Sequence, residues 1–377
     1  MTCSGNNLIL DLYFPGRCEG AAVRAAFISA EGEIRIDEVA APVPDRGGVV
    51  VDVLSCSVCA TDAHHFAAGG RELPPSIFGH EWVGTVAETG ADVEDLGIGQ
   101  IVAVTVGSSC GTCPPCRRNL GDLCATTLRQ ARGRDEAAPP WGGFSDRIAV
   151  TASRVMPVPA SMPAAARELL EPAAVAYRGV RRARLRMDDL VVVQGGGAIG
   201  QFAGQWARLA GAGRVLVVEP SAARRDLAAD LGADESVPPE QAFERIAELS
   251  GGLGADLVIE CTGIAPLVQT GAEMLRRGGR LSLLGYPLEP AAVSVRDWLA
   301  REIEVVASMG YGRADTAAAI RFAADGRLRA DGMAGMRIGF GGLAATLAGM
   351  NDRTIDAPRV VFDPGLDGAP RERATGP

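Results

Sequence analysis

The segment DLVVVQGGGAIG, residues 189–200, is the part of the sequence that decides the fold. Its apolar half, Asp189–Gln194, predicts a buried strand, and the residues from Ala198 to Ala210 predict a helix. A strand that leads through G-x-G-x-x-G into a helix is typical of a dinucleotide-binding turn. In that turn Gly195 allows the sharp bend, Gly197 lets backbone amides approach a pyrophosphate, and Gly200 lets the helix pack on the strand.

The residues around this turn indicate which nucleotide would bind. Ala198 and Ile199 begin the helix, whose N-terminus carries the partial positive charge that favours phosphates. Glu219 ends the next apolar run, where a carboxylate grips a ribose 2′-hydroxyl and repels a 2′-phosphate, so NAD is favoured over NADP. Arg224 and Arg225 follow closely and could neutralise a phosphate instead. A glycine-rich turn without a nucleotide is the other alternative.

The pattern of apolar runs predicts two domains. Between residues 188 and 307 short continuous apolar runs alternate with helical stretches, which indicates βαβ units and a parallel sheet. The first third of the chain instead has short strand-like runs separated by Gly and Pro, typical of a barrel-like β-domain. A length of 377 residues agrees with two domains.

Composition excludes several classes of protein. The net charge of −9 argues against a nucleic-acid or anionic-membrane partner. No apolar run of about 18 residues is present, so no membrane span is expected. All 37 Lys and Arg residues are arginines, which rules out Schiff-base lysine chemistry, a P-loop and the Tyr–Lys pair of short-chain dehydrogenases.

Four closely spaced cysteines predict a closed metal site. The pattern is C-x2-C-x2-C-x7-C and consists of Cys110, Cys113, Cys116 and Cys124. Four thiolates on one short lobe suit tetrahedral zinc, whereas the last spacing differs from that of bacterial ferredoxins. An iron–sulfur cluster and unligated thiols are the alternatives. Because a four-thiolate site has no free position, we expect it to stabilise the lobe rather than react.

A second group of residues has the chemistry of a reactive metal site. It lies in CATDAH, residues 59–64, and GHE, residues 79–81. A catalytic zinc needs about three protein ligands and one open position. The candidate ligands are a thiolate, an imidazole and two carboxylates that compete for the third place: Cys59, His80, Glu81 and Glu171.

The same segment offers a path for a proton. Thr61 could take a proton from a zinc-bound hydroxyl, and His64 could pass it to water. Taken singly, His80 could be a structural histidine and Cys56 a core residue. The three histidines, however, all lie within residues 64–80.

Together these motifs resemble the zinc-containing medium-chain dehydrogenases, the group of alcohol, sorbitol and threonine dehydrogenases. The resemblance covers roughly residues 21–364. It implies that Cys59 and His80 bind a catalytic zinc, that Glu171 ligates or approaches it, and that Glu81 is a transient or alternative ligand. Asp62 would orient His80, and a relay would run from Thr61 through the ribose hydroxyl to His64.

The resemblance also implies the architecture. The expected fold is α/β, with a doubly wound parallel Rossmann sheet inserted into a GroES-like, β-rich catalytic domain. We expect residues 1–171 and 315–377 to form the catalytic domain with its structural zinc lobe, and residues 172–314 to bind NAD. The active site would lie in a cleft, where such sheets bind ligands.

The sequence therefore predicts a zinc-dependent oxidoreductase that moves a hydride between a polar secondary alcohol and NAD. The substrate class includes polyols, amino alcohols and biosynthetic intermediates, and His65, Phe66 and Trp141 are candidates for lining the pocket. We expect two zinc ions per subunit and a small-molecule alcohol or carbonyl as substrate, with no nucleic-acid or membrane partner. We also expect a homodimer or homotetramer and a cytoplasmic location. The alternatives are an NADPH-dependent aldehyde or ketone reductase and a non-enzymatic NAD- or zinc-binding protein.

Overall fold

The computed structural model describes residues 22–28, 33–68, 78–106, 109–126 and 142–366, and the backbone of residues 371–372. The N-terminal stretch before residue 22, Trp141 and most of the tail lie outside the described residues. Contacts divide the chain into two compact units. The first comprises Met1–Glu171 with Ala334–Pro377, and the second comprises Pro172–Met333.

The described residues form the following strands and helices. The strands are β1 (Ala22–Ile28), β2 (Ile34–Ala40), β3 (Gly48–Val58), β4 (Glu81–Thr89), β5 (Ile101–Val104), β6 (Arg147–Thr151), β7 (Val155–Pro157), β8 (Leu190–Gln194), β9 (Arg214–Val218), β10 (Glu235–Val237), β11 (Ala255–Glu260), β12 (Leu275–Leu283), β13 (Glu304–Ala307), β14 (Ala334–Ile338), β15 (Arg359–Phe362) and β16 (Arg371–Glu372). The helices are α1 (Ala60–Ala67), α2 (Pro114–Arg117), α3 (Ala164–Arg167), α4 (Leu170–Arg182), α5 (Ala198–Leu209), α6 (Ala222–Asp230), α7 (Ala242–Ser250), α8 (Ala265–Glu273), α9 (Val295–Arg301), α10 (Arg313–Ala324) and α11 (Leu343–Asn351).

The second unit is built on a parallel sheet with the order β10-β9-β8-β11-β12-β13. The strand order reverses between β8 and β11, which makes the ends of these strands the place where doubly wound sheets bind ligands. Val191, Val192 and Val193 of β8 are completely buried, as expected for a strand covered on both faces. The predicted Rossmann fold is confirmed.

The first unit is β-rich and is organised around the long strand β3. One edge of β3 pairs antiparallel with β4. Its other edge is shared, because β6 pairs with the first half and β15 with the last three residues. Since β4 and β15 run against β3, the first residues of both strands lie beside the end of β3. The structure thus brings three separate parts of the sequence to one place.

The second domain boundary differs from the sequence prediction of residue 315. The chain returns to the first unit only at Ala334, so that α10 belongs to the Rossmann unit. Two contacts explain this. The buried Asp315 forms ion pairs with Arg178 and Arg181 of α4, and the Phe322 ring packs edge-on against Trp206 of α5 with 5.0 Å between centroids.

Gly200 is the glycine of the turn on which packing depends most. A Cβ at this position would lie 1.8 Å from the carbonyl oxygen of Gly195. We expect Gly200→Ala to lower the melting temperature by roughly 5 °C, because the helix must move away from the strand. Gly197→Ala is the matched control, since a Cβ there meets no atom within 4 Å. Equal melting temperatures for the two variants, measured by calorimetry, would contradict this packing.

Candidate active site

The end of β3 collects the groups that could hold a metal ion. Cys59 follows β3 directly, while His80 precedes β4 and Glu81 begins it. Glu81 lies opposite Ser57 in the β3–β4 ladder. One ligand atom from each of Cys59, His80 and Glu81 lies within 4.8 Å of the others. Within the described part of the chain, this group does not include Glu171.

Asp62 contacts both Cys59 and His80. It lies in the first turn of α1 and is buried. Its Oδ2 accepts a hydrogen bond from the Cys59 backbone N–H at 3.0 Å, and its Oδ1 lies 3.3 Å from Nδ1 of His80. A carboxylate on one ring nitrogen leaves the other nitrogen to bind a metal. Nε2 of His80 accordingly lies on the side of Glu81, 4.0 Å from Oε1.

Glu81 is held in place by two further residues. Ser57 Oγ donates a hydrogen bond to its Oε2, and Arg359 Nη2 donates to its Oε1 at 3.0 Å. Arg359 is buried at the start of β15 and also donates to the carbonyl oxygen of Val58 at 2.9 Å. Neither Ser57 nor Arg359 was predicted from the sequence. The only available signal was an arginine placed directly before the apolar run of β15.

Negative charge accumulates around the cluster. Burial and the neighbouring Glu81 carboxylate raise the pKa of Glu171 to about 8. Burial alone would lower the pKa of His80, but Asp62 and Cys59 raise it well above its usual value. The pKa of His80 is raised in spite of burial, which indicates a place that favours a cation. A thiolate, an imidazole and a carboxylate are zinc ligands, so the residues present fit a zinc ion.

Thr61 and His64 lie on α1, next to the cluster in the sequence. They are three residues apart, so they share one face of the helix. The Thr61 side chain is exposed and His64 is partly buried. Burial and the neighbouring His65 lower the pKa of His64, which keeps the imidazole neutral and able to accept a proton at pH 7. His65 and Phe66 are partly buried on the same helix.

The sulfur atoms of the four clustered cysteines lie close together and form a second candidate metal site. Cys113 Sγ lies 3.4 Å from Cys116 Sγ and 3.9 Å from Cys124 Sγ, and Cys110 Sγ lies 4.0 Å from Cys116 Sγ. Four sulfurs around a tetrahedral zinc are about 3.8 Å apart when each bond is about 2.3 Å. None of the four forms a disulfide. This set of thiols also fits a zinc ion.

The glycine turn of the Rossmann unit is joined to Glu219. Gly195 has a φ of +100°, which the sharp bend requires. The Gly196 N–H donates to Glu219 Oε2 at 2.6 Å, and the Ser221 N–H donates to Oε1 at 3.0 Å. Arg225 donates to the carbonyl oxygen of Glu219 at 2.8 Å. The carboxylate is therefore fixed at the end of β9, beside the turn.

Arg224 also follows Glu219 in the chain, in the first turn of α6. Its N–H donates to the side chain of Ser221, which caps the helix, and its carbonyl oxygen accepts a hydrogen bond from Gln201. Its backbone is thus fixed on both sides.

No helix among the described residues is long and apolar enough to cross a bilayer.

Known proteins share both units. The alcohol dehydrogenase GroES-like domain matches residues 45–160, and the zinc-binding dehydrogenase domain matches residues 198–325. A 2-dehydro-3-deoxy-L-galactonate 5-dehydrogenase from Pseudoalteromonas atlantica is 32% identical over 76% of this chain and 82% of its own length. An L-threonine 3-dehydrogenase from Pyrococcus abyssi is 33% identical over 68% of this chain and 73% of its own.

A solved structure from Sinorhizobium meliloti, described as a zinc-binding dehydrogenase bound to NADP, has the same fold. Its TM-score is 0.80 at 28% identity, over 92% of this chain and 100% of that one. The chain belongs to the zinc-dependent medium-chain dehydrogenase family. It is accordingly an oxidoreductase that acts on alcohols with zinc and a nicotinamide cofactor.

The buried ion pair of Arg359 with Glu81 should contribute strongly to stability. We expect Arg359→Met to lower the melting temperature by roughly 10 °C, because it leaves a buried carboxylate without its cation. The matched control is Arg46→Met, which breaks the exposed pair of Arg46 with Asp92. That change should shift the melting temperature by about 2 °C or less. Similar shifts in scanning calorimetry of the two zinc-loaded variants would contradict this account.

Proposed function

We propose that this chain is a zinc-dependent dehydrogenase that transfers a hydride between a polar secondary alcohol and NAD. The observation that carries the proposal is the cluster of Cys59, His80 and Glu81, with His80 oriented by Asp62. Three protein ligands leave zinc one open position, which is what distinguishes a catalytic site from a structural one. Both relatives named above act on polar molecules, and threonine carries its hydroxyl on a secondary carbon.

Two zinc ions per chain are part of the proposal. Cys59, His80 and one carboxylate would hold the first, and Cys110, Cys113, Cys116 and Cys124 the second. Glu81 is within reach of the first ion, but Ser57 and Arg359 occupy its oxygens. Glu171 is buried nearby and interacts with Glu81. The two carboxylates therefore compete for the third position, with Glu81 held back by Arg359.

The chain's own residues would bind and deprotonate the alcohol. With the cofactors bound, zinc would lower the pKa of the substrate hydroxyl and the nicotinamide ring would accept the hydride. Thr61 would take the hydroxyl proton, and the neutral His64 would accept it and release it to water. Asp62 stays at the far side of His80 and keeps the ring in the tautomer that leaves Nε2 for the metal.

The choice of NAD rests on Glu219. Its carboxylate is fixed by two backbone N–H groups at the end of β9, and a fixed negative charge there repels a ribose 2′-phosphate. One observation favours the alternative of an NADPH-dependent carbonyl reductase, since the Sinorhizobium meliloti protein binds NADP. The fixed negative charge of Glu219 at the end of β9 supports NAD more strongly.

Zinc content separates the two metal sites. We expect about two zinc ions per wild-type chain and about one in Cys59→Ala, which should also lose NAD reduction in a screen of polyols and amino alcohols. Cys56→Ala is the matched control, because Cys56 is a buried cysteine that belongs to neither metal cluster among the described residues. It should keep both ions. Two ions and full turnover in Cys59→Ala would refute the catalytic site.

Binding of reduced cofactors tests the role of Glu219. We expect the wild type to bind NADH at least about 10-fold more tightly than NADPH. Glu219→Gln should lose most of that preference, because the amide has nearly the same size but carries no charge and can accept from only one of the two backbone N–H groups. Fluorescence titration of each nucleotide provides the dissociation constants. Tighter binding of NADPH by the wild type would instead support the reductase.

A further inference from the structure

Helix α5 carries two buried glutamines one turn apart, Gln201 and Gln205. These residues are 3% and 6% exposed. Buried amides are retained where their hydrogen bonds are satisfied, because an unpaired polar group is costly in the interior.

Gln201 joins the glycine turn to the first turn of α6. Its Nε2 donates to the Gly196 carbonyl oxygen at 3.0 Å and to the Arg224 carbonyl oxygen at 2.9 Å. Both hydrogens of one amide group are thus used to connect two segments that are 28 residues apart in sequence.

The same residue, Gly196, also forms a hydrogen bond with the carboxylate of Glu219. The N–H of Gly196 donates to Glu219, while its carbonyl oxygen accepts from Gln201. Glu219, Gly196, Gln201 and the start of α6 therefore form one closed set of hydrogen bonds. The position of Glu219 relative to α6 depends on that set.

Gln205 is connected to the opposite end of α6 through Arg329. It exchanges two hydrogen bonds with the backbone of Arg329, at 2.9 and 2.8 Å. The guanidinium of Arg329 then donates to the carbonyl oxygen of Asp230, the last residue of α6, at 2.8 Å. Gln205 has the same chemistry as Gln201 but lies away from the glycine turn.

We propose that Gln201 is a positioning residue that determines nicotinamide cofactor selectivity, by holding the first turn of α6 against the glycine turn. A ribose 2′-phosphate is larger than a hydroxyl, so it needs this turn to move away from Glu219. The two hydrogen bonds of Gln201 oppose that movement. This inference rests on the proposed use of NAD.

The test compares Gln201→Met with Gln205→Met in the full-length, zinc-loaded protein. Methionine has nearly the same shape but donates no hydrogen bond. NADH and NADPH are titrated separately by fluorescence. We expect Gln201→Met to weaken NADH binding about 10-fold and to reduce the NADH-over-NADPH preference about 10-fold. Gln205→Met should keep the wild-type preference, even if both variants melt at a lower temperature.

A shorter amide provides a second variant in case Gln201→Met does not fold. Gln201→Asn keeps the amide but is one methylene shorter, so we expect it to weaken the two hydrogen bonds of Gln201 and to give an intermediate preference. If the wild type prefers NADPH, the proposed NAD function fails and the inference fails with it. If the wild type prefers NADH but the Gln201 variants keep its preference, or Gln205→Met loses it equally, the inference alone is overturned.

Discussion

The cluster of Cys59, His80 and Glu81 depends on the contacts of one carboxylate, that of Asp62. It accepts a hydrogen bond from the backbone N–H of Cys59 and lies beside Nδ1 of His80. One buried side chain thus sets both the position of Cys59 and the orientation of the His80 ring. The local sequence makes this possible, because Asp62 is in the first turn of the helix that follows β3. Antiparallel pairing with β4 then brings His80 to the same point.

Charge balance explains the rest of the site. Asp62 and Glu81 place two buried carboxylates beside the partly buried thiol of Cys59, and Arg359 is the buried cation that pairs with Glu81. The raised pKa of Glu171, about 8, keeps this third carboxyl group largely protonated at pH 7. Burying that much negative charge is unfavourable unless cations compensate it. A zinc ion would complete the compensation. The same cation would activate an alcohol, so the interaction that stabilises the site also supplies its chemistry.

Local motifs made most of the fold predictable. The glycine turn, the four cysteines and the Cys59–His64 segment each lie in a short stretch whose spacing carries the chemistry, and the strands of the parallel sheet appear as continuous apolar runs. The contacts of Arg359 were not predictable, because no local motif includes this residue. Arg359 and Glu81 are 278 positions apart. The end of α8 at Glu273 was not predictable either, because it depends on the pairing of Leu275 with Ala255 in the sheet.

Anomalous diffraction at the zinc absorption edge tests the central claim most directly. The account predicts two ions per chain, one inside the four-cysteine lobe and one bonded to Cys59 Sγ at about 2.3 Å and His80 Nε2 at about 2.0–2.1 Å, with a carboxylate oxygen as third protein ligand. A single ion confined to the four-cysteine lobe of a zinc-saturated, active protein would contradict it.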